Sequence, residues 1–156
     1  MKIITGLVFA ITLLAACNVK TNTEDIKQTS LPIVGTWQLI SGTTIEKADT
    51  SVTDYTKNLS FIKIINDTHF AFLKHDLNKG KDTATASFGS GGGHYTLTDS
   101  LYTEHLEYCS DRQWEGNDFT FTVTIKNDTL IQSGIEKVES AGINRINIEK
   151  YTRVKK

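Results

Sequence analysis

The chain has 156 residues, with 17 basic and 18 acidic side chains for a formal charge of −1, and 38% of its residues are apolar. No basic stripe or arginine cluster interrupts that near-neutrality, which excludes a nucleic-acid partner on electrostatic grounds; the basic residues between 150 and 156 form a short solvated tail. The two cysteines, Cys17 and Cys109, are too few for a disulfide scaffold.

At the N-terminus, Met1 and Lys2 give a short positive start, and Ile3 to Ala16 form an apolar run broken only by Thr5, Gly6 and Thr12. A spanning helix needs about 20 apolar residues. This run stops at 14, before a polar stretch, and so reads as a cleavable signal peptide over residues 1–16. Leu14-Ala15-Ala16-Cys17 resembles the bacterial lipobox, in which the cysteine is lipidated and becomes the first residue of the mature chain. That resemblance implies a lipid bilayer as a partner, reached through acylated Cys17; several acyl chains, at about 0.8 kcal/mol per buried methylene, hold a protein durably. Asn18 is not the aspartate that resembles an inner-membrane retention signal, so the expected location is the cell envelope, at the outer membrane, on a side the sequence leaves open.

Cleavage takes away Lys2 and no acidic residue, which leaves 16 of the 17 basic side chains against 18 acidic ones, a charge of −2. It also leaves Cys109 as the one free thiol once Cys17 is acylated, so no internal disulfide is expected despite export. Residues 17–31 carry the lipidated cysteine and a polar stretch with neither a helical nor a strand period, ending at the single proline, Pro32. They read as a flexible tether. Residues 32–156 have the length of one domain, enough to bury a real core.

Within that domain the pattern is β. The first expected strand runs from Val34 to Ser41; Thr43 to Asn58 lacks alternation and reads as a connector, with room for a helical turn or two between Ser51 and Asn58. Leu59 to Ile65 and Thr68 to His75 flank Asn66-Asp67, and His94 to Leu97 and Leu101 to Cys109 flank Thr98-Asp99-Ser100. Phe119 to Ile125 alternates apolar residues with threonine, Asn127-Asp128 interrupts, and Thr129 to Ser133 resumes. Asn and Asp suit such hairpin turns because they tolerate left-handed backbone. A last strand from Ile143 to Val154 makes eight in sequence, which favours an all-β, eight-stranded antiparallel up-and-down barrel, with a β-sandwich as the alternative.

Gly35-Thr36-Trp37, opening the first strand, resembles the Gly-x-Trp signature of lipocalins and the wider calycin group. The last strand, Glu149 to Val154, is similar to the C-terminal strand of small lipocalin-like lipoproteins. The resemblance implies a cup closed at the end that holds Trp37, with Arg153 stacked on the indole, and a structural role for Gly35, Trp37 and Arg153. The chain departs from many lipocalins in lacking a disulfide and a clear long helix before the last strand.

Catalytic signatures fail one by one. In Phe88 to His94 a nucleophile elbow would need glycine where Phe88 stands, and a dinucleotide fingerprint would need glycine at His94. The run reads instead as a flexible loop or a bulge bending a strand at the barrel rim. Asp76 to Asp82 has Lys81 where a calcium loop needs glycine, and reads as a solvated loop. His105, Glu107 and Cys109 would share one strand face, with His94 opposite His105, but this reads as a polar outer face with a partly covered cysteine rather than a metal site. Trp114, beside Arg112 in the loop from Ser110 to Asp118, reads as an exposed lid or partner contact or, more simply, as a residue folded over a barrel edge. No cofactor and no catalytic residue are expected.

On the hairpin around Asp99, either two-residue turn places Tyr95, Leu97, Tyr102, Glu104, Leu106 and Tyr108 on one face. That face is the more apolar and is expected to point inward, making Tyr95, Tyr102, Glu104, Leu106 and Tyr108 the candidate ligand-binding residues. An inward carboxylate needs a partner: tyrosine hydroxyls, a buried water, Arg145 or a ligand, unless Glu104 sits at the rim and reaches solvent. If Glu104 serves binding, Glu104→Gln is expected to change ligand retention with little effect on stability. Two functions follow: a membrane-anchored barrel holding a small apolar or amphipathic ligand, or an envelope protein with a filled barrel whose loops bind an unidentified protein partner. A cavity of about 300 to 1,000 Å³ separates the first from the second.

Overall fold

The computed structural model describes residues 31–155. The expected signal peptide, Cys17 and all of the expected tether but Leu31 lie outside the described residues.

The regular structure of the described residues is almost all strand. β1 (Gly35–Glu46) is followed by β2 (Asp49–Asp54), β3 (Leu59–Ile65), β4 (His69–Asp76), β5 (Phe88–Thr98), β6 (Leu101–Cys109), β7 (Asn117–Lys126), β8 (Thr129–Val138) and β9 (Ile143–Arg153), with single 3₁₀ turns at Arg112–Trp114 and Glu139–Ala141. From β3 onward each strand pairs antiparallel with the next, and β9 returns to β1 through pairs running from Trp37–Arg153 to Ile45–Ile146. Eight strands, β1 and β3 to β9, therefore close an antiparallel barrel; the sandwich alternative falls away.

The connector expected between residues 43 and 58 is a strand for much of its length. β1 runs five residues past Ser41, and β2 folds back on it between Ser41–Asp54 and Glu46–Asp49. β2 and β3 thus take successive lengths of one edge of β1, since β3 pairs with Gly35 to Gln38. Every residue of β2 is exposed, so no apolar alternation marks it. β5 likewise begins six residues before His94, because the Phe88 to Gly93 segment is strand rather than a loop; the bulge lies across from it, in β6.

The turns follow the chemistry of their residues. Asp99 and Asn127 take left-handed backbone at φ 55° and 54°. Asn66 acts through its side chain, whose Oδ1 accepts from the backbone N–H groups of Thr68 at 2.9 Å and His69 at 2.7 Å.

The core fills the end of the barrel carrying these three turns. Trp37, Leu39, Tyr102, Phe121, Val123, Leu130 and Tyr151 are all at most 2% exposed. Side chains of this size contribute roughly 1.5 to 3 kcal/mol each on burial. Leu31 to Ile33 crosses beneath them, and the Ile33 carbonyl accepts a 2.8 Å hydrogen bond from Trp37 Nε1. At the opposite end, the chain leaves the core unfilled.

Candidate functional site

Above the packed floor the inward positions turn polar. Lys63 lies on β3 between Phe61 and Ile65 in the inward alternation, and its Nζ donates to Glu104 Oε1 at 2.6 Å and to Gln132 Oε1 at 3.1 Å. All three residues are buried. Burial pushes the Glu104 carboxyl above its ordinary value, and the Lys63 ammonium opposes that rise. Nearer the mouth, Glu136 accepts from Arg145 Nε at 2.7 Å and from Asn147 Nδ2 at 2.7 Å. Its carboxyl is also raised by burial, against the pull of Arg145.

These groups line a cavity of about 510 Å³ that opens to solvent at the end away from Trp37. Phe61, Phe72, Trp114 and Phe119 supply its apolar wall. Phe61 stacks on Phe72 with ring centroids 5.7 Å apart, and Trp114 packs against Phe119 at 5.7 Å. Arg145 lies over the Trp114 ring at 5.4 Å, so Trp114 folds over the barrel mouth rather than projecting from it. The loop between β4 and β5 is pinned at the same end by Asp76, whose carboxylate accepts from the backbone N–H groups of Gly80 at 2.7 Å and Ser87 at 3.0 Å. These two donors hold the Asp76 carboxyl below its ordinary value.

The hairpin face expected to be a ligand surface is divided by this geometry. Tyr95 pairs with Glu104 across β5 and β6. Glu104 and Leu106 line the cavity. Tyr102 is fully buried in the floor, its hydroxyl close to Glu104 without a well-formed hydrogen bond. Tyr95 is half-buried beside it at 5.1 Å between centroids, and its hydroxyl donates to the Asn66 carbonyl at 2.8 Å, so it closes the floor instead of facing the cavity.

Tyr108 does not point inward at all. It is 68% exposed, because Gly93 pairs with Leu106 while Gly92 pairs with Tyr108, leaving Glu107 as the extra residue of a β-bulge. The bulge reverses the alternation beyond Leu106. Cys109 turns inward to line the cavity, where burial raises its thiol above the ordinary value. The strand face expected to join Cys109 with His105 and Glu107 is thereby broken. His105 remains outside, its ring stacked on His94 at 4.2 Å and its Nδ1 2.8 Å from Asp118.

Glu104 is a buried interior residue rather than a rim one, and its partner is Lys63, not Arg145. The pairing was open to inference: Leu59, Phe61, Lys63 and Ile65 share one side of a period-two strand, so Lys63 faces the same interior as Glu104.

At the closed end, Arg153 lies over the Trp37 ring at 4.0 Å and donates from its guanidinium to the carbonyls of Val34 at 2.8 Å and Pro32 at 2.6 Å. Gly35 passes beneath this guanidinium at φ 148°, and a Cβ there would collide with Arg153 Nη1.

A closed eight-stranded antiparallel barrel with a floor at one end and a cavity at the other is consistent with the lipocalin and calycin fold in general. Residues 32–156 match the family described as "Domain of unknown function (DUF4488)", and the chain belongs to that family. No curated protein sequence matches the chain.

Proposed function

We propose that this protein is a lipoprotein of the cell envelope, held at a membrane by acylated Cys17, whose barrel binds a small amphipathic ligand. The observation that carries the binding reading is the cavity of about 510 Å³, which falls within the range of small-molecule sites. A barrel filled by its own side chains, as an interaction protein would have it, leaves no such space. The lining narrows the ligand from apolar to amphipathic: Phe61, Phe72 and Trp114 offer apolar contact, while Lys63, Glu104, Glu136 and Arg145 present a charged and hydrogen-bonded interior. A purely apolar molecule would cover those charges without replacing their hydration. The protein acts on this reading by holding its ligand rather than transforming it. The membrane anchor and the envelope location are supported by Leu14 to Cys17 and by Asn18.

Native mass spectrometry of the protein purified from its own host tests the binding reading. The expected result is an added mass that is released on denaturation. A mass equal to that of the lipidated chain alone, in every preparation, would overturn it.

A further inference from the structure

The charges of the cavity do not cancel in pairs. Lys63 is matched to Glu104 and Arg145 to Glu136. A third carboxylate, Glu149, lines the same cavity and has no lysine or arginine within ion-pair distance among the described residues. Its hydrogen bond comes from the buried Tyr151 hydroxyl, at 2.6 Å to Oε2. On β9 the inward residues from the floor to the mouth are Tyr151, Glu149, Asn147 and Arg145, so Glu149 is the deepest polar position that this strand offers to the cavity. Lys74 and Asp111, one of each sign, also line the site and leave the imbalance unchanged.

Two further observations point the same way. The Tyr102 hydroxyl, on a residue with no exposed surface, is buried without a well-formed hydrogen bond and lies in the field of both Glu104 and Glu149. The Tyr55 ring lies at the cavity wall and adds an aromatic surface to the lining that holds Glu149. Carboxylate and aromatic faces together form a surroundings that favours a cation over an anion.

Building on the binding reading above, we propose that the ligand carries a protonated amine that ion-pairs with Glu149 at the inner part of the cavity, with its apolar portion against Phe61, Phe72 and Trp114. The ammonium donates to the free Oε1 of Glu149, and Oε2 keeps its bond from Tyr151. This orientation places the polar end of the ligand deep and its apolar end towards the mouth.

The test uses the full chain in phosphatidylcholine nanodiscs, with protein-free discs subtracted, titrated separately with hexylamine, hexanol and hexanoate. Calorimetry gives affinity, and the change in tryptophan fluorescence reports entry into the cavity, since Trp114 lines it and Trp37 is buried at the closed end. Hexylamine is expected to bind about tenfold or more tightly than hexanol, the scale of one charge-assisted hydrogen bond, with hexanoate weakest. Glu149→Gln is expected to bring hexylamine binding down to that of hexanol in the same variant, and Glu149→Asp to keep part of the preference. Binding of hexanol or hexanoate as tight as that of hexylamine would overturn the amine proposal and leave the barrel as a binding site. A preference that persists in Glu149→Gln would overturn the assignment to Glu149. Failure of all three probes to bind would count against the binding reading itself, and the amine proposal would fall with it.

Discussion

The Lys63 ammonium stands 2.6 Å from Glu104 Oε1 with the two side chains only 4% and 9% exposed. Such a pair loses much of its Coulomb gain to desolvation, and its value shows when one partner is removed. Glu104→Gln leaves Lys63 buried with no countercharge, so it is expected to cost about 3 to 5 kcal/mol, not the small change anticipated for a carboxylate that serves only binding. Lys63→Met should cost a similar amount. Combining Lys63→Met with Glu104→Leu is expected to recover most of the loss, and urea denaturation of these variants together with Glu104→Leu alone checks this. Additive losses in the double variant would show that the two side chains are not coupled.

The Glu136 carboxyl makes a different prediction because burial raises it despite Arg145. A raised carboxyl holds its proton more tightly in the folded chain than in the unfolded one. Between the ordinary value of 4.5 and the higher folded value, the folded state therefore binds more protons, and its stability falls as pH rises. Glu136→Gln removes this titration. Wild type is expected to gain stability relative to Glu136→Gln as pH falls from 7 towards the ordinary carboxylate range, measured by denaturant titration at each pH. Parallel curves would mean that Glu136 titrates alike in both states.

At the closed end, Trp37 has no exposed surface and carries Arg153 over its ring at 4.0 Å. Trp37→Ala is expected to cost about 3 to 5 kcal/mol, as large core aromatics do. Arg153→Lys keeps the charge but loses the planar fork that reaches both Val34 and Pro32, and should cost about 1 to 2 kcal/mol. Thermal melts of the two variants measure this, and an Arg153→Lys protein as stable as wild type would reduce the guanidinium to a surface contact.

Lipidation is tested at the other end of the chain. In the proposed anchor the thioether forms on the sulfur of Cys17, so Cys17→Ser should abolish incorporation of a fatty-acid analogue and leave an unprocessed or mislocalised chain. Equal labelling of the variant and wild type would remove the anchor from the proposed function.

What the sequence disclosed depended on whether burial differs between the two faces of a strand. Phe119, Phe121 and Val123 are buried while Thr120, Thr122 and Thr124 are exposed, and this contrast made β7 legible. β2 has no buried face, so Asp49 to Asp54 carried no such signal. Glycines hid the start of β5 because they have no side chain to alternate. Glu104 was legible as an inward carboxylate from its neighbours Tyr102 and Leu106, and Lys63 could have been placed by the same parity. Tyr108 was misplaced because period-two reasoning carries across a strand only while the ladder is regular, and nothing in the composition of β6 marks Glu107 as the extra residue.

That bulge supplies the last prediction. Where Gly93 pairs with Leu106, the neighbouring strand comes so near that a Cβ on Gly93 would overlap the His105 carbonyl oxygen and come within 2.9 Å of the Glu107 nitrogen. These are backbone atoms, which cannot swing aside as a side chain would. Gly93→Ala must therefore part β5 from β6 at the bulge that turns Cys109 into the cavity, and a loss of about 1 to 3 kcal/mol or more is expected from the overpacking. Gly89, on the same strand, is the control, since its Cβ would meet Lys74 Cε at an ordinary 3.6 Å. Gly89→Ala should be close to neutral. Chemical denaturation compares the two stabilities, and alkylation of Cys109 under native conditions, faster in Gly93→Ala than in Gly89→Ala, reports whether the bulge has opened. Equal stability and equal alkylation in the two variants would show that the strands can accommodate a side chain at Gly93, and the account of why Tyr108 faces outward would need another cause.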